Sequence, residues 1–155
     1  MKVLLVASSG GHLMHLWWLE PWWREHERTW VTFDTADAAG RLGGEAVYWA
    51  VHPTNRRPDN VLRNLRRAAR ILRRERPDVV VSSGAGVALP FLAVAKVLGI
   101  ATVFVEVYDR VDRPSLTARL VAKWVDRLVL QWPEQQVGLP SGRVLGPMVD
   151  VEEAS

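Results

Sequence analysis

His12 follows directly on Ser8-Ser9-Gly10-Gly11, and this joining of a glycine turn to an imidazole is where the chain could first do chemistry. Gly10 and Gly11 permit a tight turn and a close backbone approach that side chains would block. A helical pattern begins at His12, so the free N–H groups of the helix start would point into the turn and favour an anion such as a phosphate. An imidazole in that positive potential is disfavoured as a cation and would serve as a neutral proton acceptor. A second small-residue turn, Ser82-Ser83-Gly84-Ala85-Gly86, has the same make-up. Glu106 offers a carboxylate for general-base work, and Arg110 a guanidinium that could pair with phosphate. Each feature also has a plain structural reading: a solvated histidine in a strand-to-helix turn, or an ion pair between Glu106 and Arg110 that fixes a loop.

The elements that must position these residues can be read from the hydrophobic pattern. Short apolar runs predict strands at Val3 to Val6, Thr29 to Phe33, Glu45 to Val51, Asp78 to Val81, Ala101 to Val105 and Arg127 to Leu130, with a last short strand and turn over Val144 to Pro147. Between them, helices are expected over His12 to Leu19, where Pro21 ends or bends the first, then from the second glycine turn to Leu98, and over Ser115 to Val125. The clearest helix is Asp59 to Arg76, with Val61, Leu62, Leu65, Ala68, Ala69 and Leu72 as its buried stripe. Asp34 could hold a ribose in a dinucleotide-binding fold, but the turn is not G-x-G-x-x-G, and followed by Thr35 it reads as a helix cap or turn residue. Strands alternating with helices give an α/β fold, a Rossmann-like parallel sheet with helices on both faces. Ligands lie outside the carboxyl ends of strands in such sheets. That rule gathers Ser9-Gly10-Gly11-His12, Ser83-Gly84-Ala85-Gly86, Glu106 with Arg110, and Gln131 with Glu134 onto one rim.

Length and composition set the bounds. The 155 residues suit one domain, taken as 1–149, with an acidic tail at 150–155. There is no cysteine, which excludes disulfides and thiolate metal sites and favours a reducing compartment. No metal site is expected, because His12 and His15 have no carboxylate at ligand spacing, and no cofactor is implied. The apolar stretch from Val87 to Val107 is broken by Pro90, Lys96, Gly99 and Glu106 and parses as helix then strand rather than as a membrane span. Two features suit a membrane surface instead. Trp17, Trp18, Trp22 and Trp23 crowd one short segment, and tryptophan favours the headgroup region. Arg63, Arg66, Arg67 and Arg70 lie on the polar face of the long helix, after Arg56 and Arg57. Their single sign suits an anionic surface. A solvated face and aromatic core packing are the alternatives. Nucleic acid is not expected, since no binding module accompanies the basic face.

Taken in order, SSGGHLMHLWWL at 8–19, Asp34-Thr35, PDVVVSSGAGVALPFLAVAKVLG at 77–99, TVFVEVYDRVDRPSLTARLVAK at 102–123 and DRLVLQWPE at 126–134 resemble the family of asparagine-linked glycosylation protein 14 and its bacterial counterparts in capsule and exopolysaccharide synthesis. The resemblance implies the N-terminal half of a GT-B glycosyltransferase, with a separate donor-binding glycosyltransferase subunit completing a heterodimer. The pair would transfer a sugar from a UDP-sugar, UDP-GlcNAc or a related hexose donor, to a polyprenyl-diphosphate-linked acceptor. The site would lie on the cytoplasmic membrane surface, with the chain peripheral on its inner face. His12 and Glu106 are then the catalytic candidates. Ser9, Gly10, Gly11, Ser83, Gly84, Gly86 and Arg110 would bind acceptor or diphosphate. Eukaryotic members carry a membrane anchor ahead of the first strand, so the Trp17 to Trp23 segment and the arginine helix are expected to take its place. His15 stands where the family has a polar or acidic residue, and Tyr108-Asp109 replaces small and aromatic ones. The competing functions are a non-catalytic docking module that recruits the catalytic partner to the membrane, and a stand-alone nucleotide-binding protein.

Overall fold

The computed structural model describes residues 1–54 and 58–148. Arg56, Arg57 and the acidic tail lie outside the described residues. The chain runs β1 (Lys2–Ala7), α1 (Gly11–Trp17), α2 (Glu20–Trp23), β2 (Glu27–Phe33), α3 (Ala36–Arg41), β3 (Val47–Ala50), α4 (Pro58–Glu75), β4 (Val79–Gly84), α5 (Ala88–Val97), β5 (Ala101–Val105), α6 (Leu116–Val121), β6 (Arg127–Leu130), α7 (Gln135–Gly138) and β7 (Arg143–Val144). The strands form one seven-stranded sheet in the order β3-β2-β1-β4-β5-β6-β7, and its neighbouring strands pair in parallel. From β1 the chain builds outward to β3, then returns to place β4 on the other side of β1. The order of the strands therefore reverses between β1 and β4, and a crevice opens at their carboxyl ends.

Alternation along the strands feeds two cores. Leu4, Val6, Val80 and Phe104 face α4, α5 and α6, meeting Ala68, Leu72, Phe91, Leu92 and Val121. Val3, Leu5, Val81 and Val105 face the opposite way, onto Leu13, Leu16, Trp23, Ala38 and Leu42 of the other helical layer. Strands buried on both faces are why their sequences read as unbroken apolar runs.

Three expectations about the elements are corrected. Pro21 does not end a helix; it sits in the first turn of α2, where no backbone donor is needed. The predicted stripe of α4 is only half right. Val61, Leu62 and Leu65 are 40%, 48% and 38% exposed, while Asn60 and Asn64 are buried with Ala68, Ile71 and Leu72. Hydrogen bonds to the chain leaving β3 explain the rotation. Asn64 Oδ1 accepts from Val51 N at 2.8 Å and its Nδ2 donates to Val51 O at 2.9 Å, while Asn60 Nδ2 donates to Pro53 O at 2.8 Å. These bonds satisfy backbone groups that would otherwise be buried unpaired. Thirdly, α7 was not expected, and β7 is shorter than and shifted from the predicted last strand.

Candidate functional site

The two glycine turns meet at the reversal point and lock together. Ser8 N donates to Gly84 O at 3.4 Å. The Ser83 hydroxyl donates to His12 O at 2.6 Å, and His12 Nδ1 donates to Ser83 O at 2.9 Å. A carbonyl can only accept, so the partner assigns the proton to Nδ1 and leaves Nε2 as the ring nitrogen for a ligand. Gly84 has φ +112°, and a Cβ there would lie 3.1 Å from His12 Cε1 and 3.3 Å from Nδ1. Glycine at this position is thus a steric requirement for the imidazole to seat against β4.

His12 lines an open cleft of about 660 Å³, shared with Gly11, His15, Trp18, Gly86 and Arg110. Its far side is apolar, with Val61 from α4, Leu89 from α5, and Leu116 and Leu120 from α6. Of the expected anion-binding residues, Gly11, Gly86 and Arg110 reach the cleft. Ser83 and Gly84 are buried in its floor and are occupied in holding His12. Ser9 and Gly10 lie outside the lining, and the Gly10 amide already donates to the Asp37 carboxylate at 3.2 Å. Asp37, in the first turn of α3, has its carboxyl held below the usual range by the neighbouring Thr35 hydroxyl, with the Gly10 amide adding to the effect. An internal anion thus occupies one donor of the first turn.

Glu106 is not on the rim. Its side chain is fully buried, Oε1 accepting from Val107 N and Oε2 from Ser115 N, both at 2.9 Å. The carboxylate is a latch closing the 106–115 loop, with backbone amides where the alternative structural reading put Arg110. Behind it, Gln131 Nε2 donates to Glu106 O at 2.9 Å. Gln135 Nε2 donates to Val107 O at 2.9 Å and Arg110 O at 3.3 Å. Gln131 is therefore buried scaffold, and Glu134 merely precedes α7. This network holds the backbone that carries Tyr108 and Arg110 at the cleft.

The tryptophans do not form one surface. Trp23 is buried, its Nε1 donating to Leu16 O at 2.8 Å, and its ring packs with Trp17 and Trp30 at 5.2 and 5.5 Å. Arg28 covers Trp23 at 4.6 Å. Trp18 turns into the cleft, and only Trp22, against His26, is an exposed ring of the four. The membrane role expected of the tryptophan segment is corrected accordingly: Trp17 and Trp23 pack with Trp30, and Trp18 lines the cleft. Arg63, Arg66, Arg67 and Arg70 are all exposed on α4, Arg67 also donating to Trp49 O. What the sequence missed is the apolar face beside them, along with His15 and Tyr108 in the cleft.

A parallel sheet with helices on both faces, and an open cleft at the carboxyl ends of β1 and β4, define a Rossmann-like domain of the kind that forms the N-terminal half of a GT-B glycosyltransferase. Residues 56–148 match the family model described as Oligosaccharide biosynthesis protein Alg14 like, and the chain belongs to that family. It is also similar to UDP-N-acetylglucosamine–N-acetylmuramyl-(pentapeptide) pyrophosphoryl-undecaprenol N-acetylglucosamine transferases. Identity is 31% over 84 residues to that of Halalkalibacterium halodurans, covering 54% of this chain and 22% of the relative. It is 44% over 59 residues to that of Chlorobium luteolum, covering 38% and 15%. Among solved structures, Acinetobacter baumannii MurG superposes with TM-score 0.72 at 18% identity, over 85% of this chain and 41% of that one. The UDP-GlcNAc 2-epimerase of Methanocaldococcus jannaschii gives 0.70 at 17%, over 94% and 45%. The chain thus spans about a fifth of the length of the first curated relative and under half of these solved chains. The family and the curated relatives make it a glycosyltransferase-related protein.

Proposed function

We propose that this chain is the acceptor-side half of a split GT-B glycosyltransferase. It would transfer a sugar from UDP-GlcNAc or a related UDP-hexose to a polyprenyl-diphosphate-linked saccharide, with a second subunit supplying the donor site. The observation that carries the reading is His12, fixed through Nδ1 at the β1–β4 reversal point with Nε2 left for a ligand, in a cleft whose far wall is apolar. An acceptor hydroxyl must lose its proton as it attacks the anomeric carbon, and Nε2 is the base placed to take it. Negative charge develops on the departing diphosphate. Arg110, which lines the cleft with Gly86, is the group to stabilise it or to hold the acceptor's own diphosphate. Glu106 acts through the loop rather than on substrate.

The apolar wall continues outward as exposed Leu62, Leu65, Leu116 and Leu120, beside the α4 arginines. This surface, rather than the tryptophan segment, is the one suited to an anionic bilayer from which a lipid-linked acceptor could enter. Among the described residues no helix is long and apolar enough to cross a membrane.

A GT-B donor site needs two domains, and this sheet is one. Calorimetry with UDP-GlcNAc should therefore show no tight binding to the chain alone, and binding on addition of the donor-side subunit. Micromolar affinity without a partner would instead identify a stand-alone nucleotide-binding protein.

A further inference from the structure

His15 is only 5% exposed, yet neither Nδ1 nor Nε2 has a hydrogen-bond partner. The large majority of buried side-chain polar groups are paired, because leaving one unpaired costs folding free energy. An unpaired imidazole kept in the wall of a cleft therefore calls for a ligand. It lies one helical step from His12, ring centroids 6.5 Å apart, so both face the cleft from α1. Two other aromatic rings of the cleft meet it edge-on: Trp18 at 5.1 Å and Tyr108 at 5.3 Å. Trp18 and Tyr108 also touch each other, at 5.9 Å. Tyr108 is 43% exposed and lies on the loop that Glu106 latches.

We propose that His15, Trp18 and Tyr108 form a subsite for a sugar ring of the acceptor, a role that rests on the acceptor-side reading above. The aromatic faces meet the C–H face of the pyranose, and His15 exchanges hydrogen bonds with a ring hydroxyl or acetamido group once the exposed Tyr108 ring shifts aside. The chemistry favours a sugar over a phosphate. Burial, reinforced by the neighbouring His12 and opposed by Asp109, lowers the His15 pKa to about 4. A neutral imidazole has one donor and one acceptor, matching a hydroxyl, which also does both; a phosphate diester or diphosphate mainly accepts.

The test uses the full chain with ¹⁵N-labelled histidine and two probes, farnesyl diphosphate and farnesyl diphosphate carrying N-acetylglucosamine. The sugar-bearing probe should bind about three- to tenfold more tightly and move the His15 ring-nitrogen resonances. His15→Phe should abolish that preference, the two probes then binding equally, and should raise Tm because the unpaired polar group is gone. His15→Gln, which keeps a donor and an acceptor, should retain part of the preference. Tyr108→Leu, at an exposed position that does not burden the core, should lose part of it. If His15→Phe and Tyr108→Leu both discriminate the probes as the wild type does, His15 is a core residue and this inference falls while the acceptor reading stands. If the wild-type chain binds neither probe, the acceptor reading falls and this subsite with it.

Discussion

His12 and Glu106 divide the work that a reading by residue type would give to either. His12 has one nitrogen committed to Ser83 O and its ring seated on Gly84, so its orientation is fixed before any ligand arrives. Glu106 has both oxygens committed to backbone amides at 2.9 Å. Hydrogen bonds to a buried charged group are worth about 1.5–3 kcal/mol each, and one left unmade costs a comparable amount. Glu106→Gln puts an amide N–H₂ where one of the two backbone donors needs an acceptor. It should lower unfolding free energy by about 1–3 kcal/mol in denaturant titrations, and raise acceptor KM more than it lowers kcat. A hundredfold loss of kcat with stability intact would instead restore Glu106 as the base. The sequence showed that a carboxylate follows β5. It could not show that two amides of a loop closing nine residues later would claim it. His15 was legible as unusual for the family, but its lack of partners is a property of packing.

At the scale of elements, the strands were readable because burial on both faces leaves runs such as Leu4-Leu5-Val6 and Val79-Val80-Val81 without polar interruption. Helix α4 was readable in extent but not in rotation. A periodicity argument counts Asn60 and Asn64 as outward and Val61, Leu62 and Leu65 as inward, whereas the loop after β3 needs amide partners and draws the asparagines in. The tryptophan segment failed for a related reason: Trp23 packs with Trp17 and with Trp30 of β2, a strand-to-helix contact that helical periodicity does not reveal. Asn64→Leu makes α4 more apolar on paper. It should nevertheless destabilise the protein by about 2–4 kcal/mol, because Val51 N and Val51 O both lose their partner in a partly buried setting. A neutral or stabilising outcome in thermal or denaturant unfolding would mean that apolar packing, not the asparagine clamp, sets the rotation of α4.

Over the whole molecule, one edge of the cleft joins an apolar face to a basic one. Leu62 and Leu65 of α4 and Leu116 and Leu120 of α6 are exposed, with Arg63, Arg66 and Arg70 on the same helix as the first pair. Vesicle sedimentation should show binding to anionic lipid that weakens as salt rises, each arginine near the surface contributing roughly 1 kcal/mol. Arg66→Glu with Arg70→Glu should abolish it and Leu62→Ser with Leu65→Ser should weaken it, while Trp22→Ala should change little. Binding indifferent to lipid charge and to both pairs of changes would contradict this surface. The central claim, however, is that one half of a transferase, with His12 as its base, faces the acceptor from this chain. The most direct measurement is kcat of His12→Gln, assembled with the donor-binding subunit and assayed with both substrates saturating. General-base catalysis contributes about a hundredfold to ten-thousandfold, so the variant should lose at least about two orders of magnitude in kcat, with Tm and partner affinity near those of the wild type. Nearly full kcat in that complex would place the base on the other subunit and leave this chain the docking half alone.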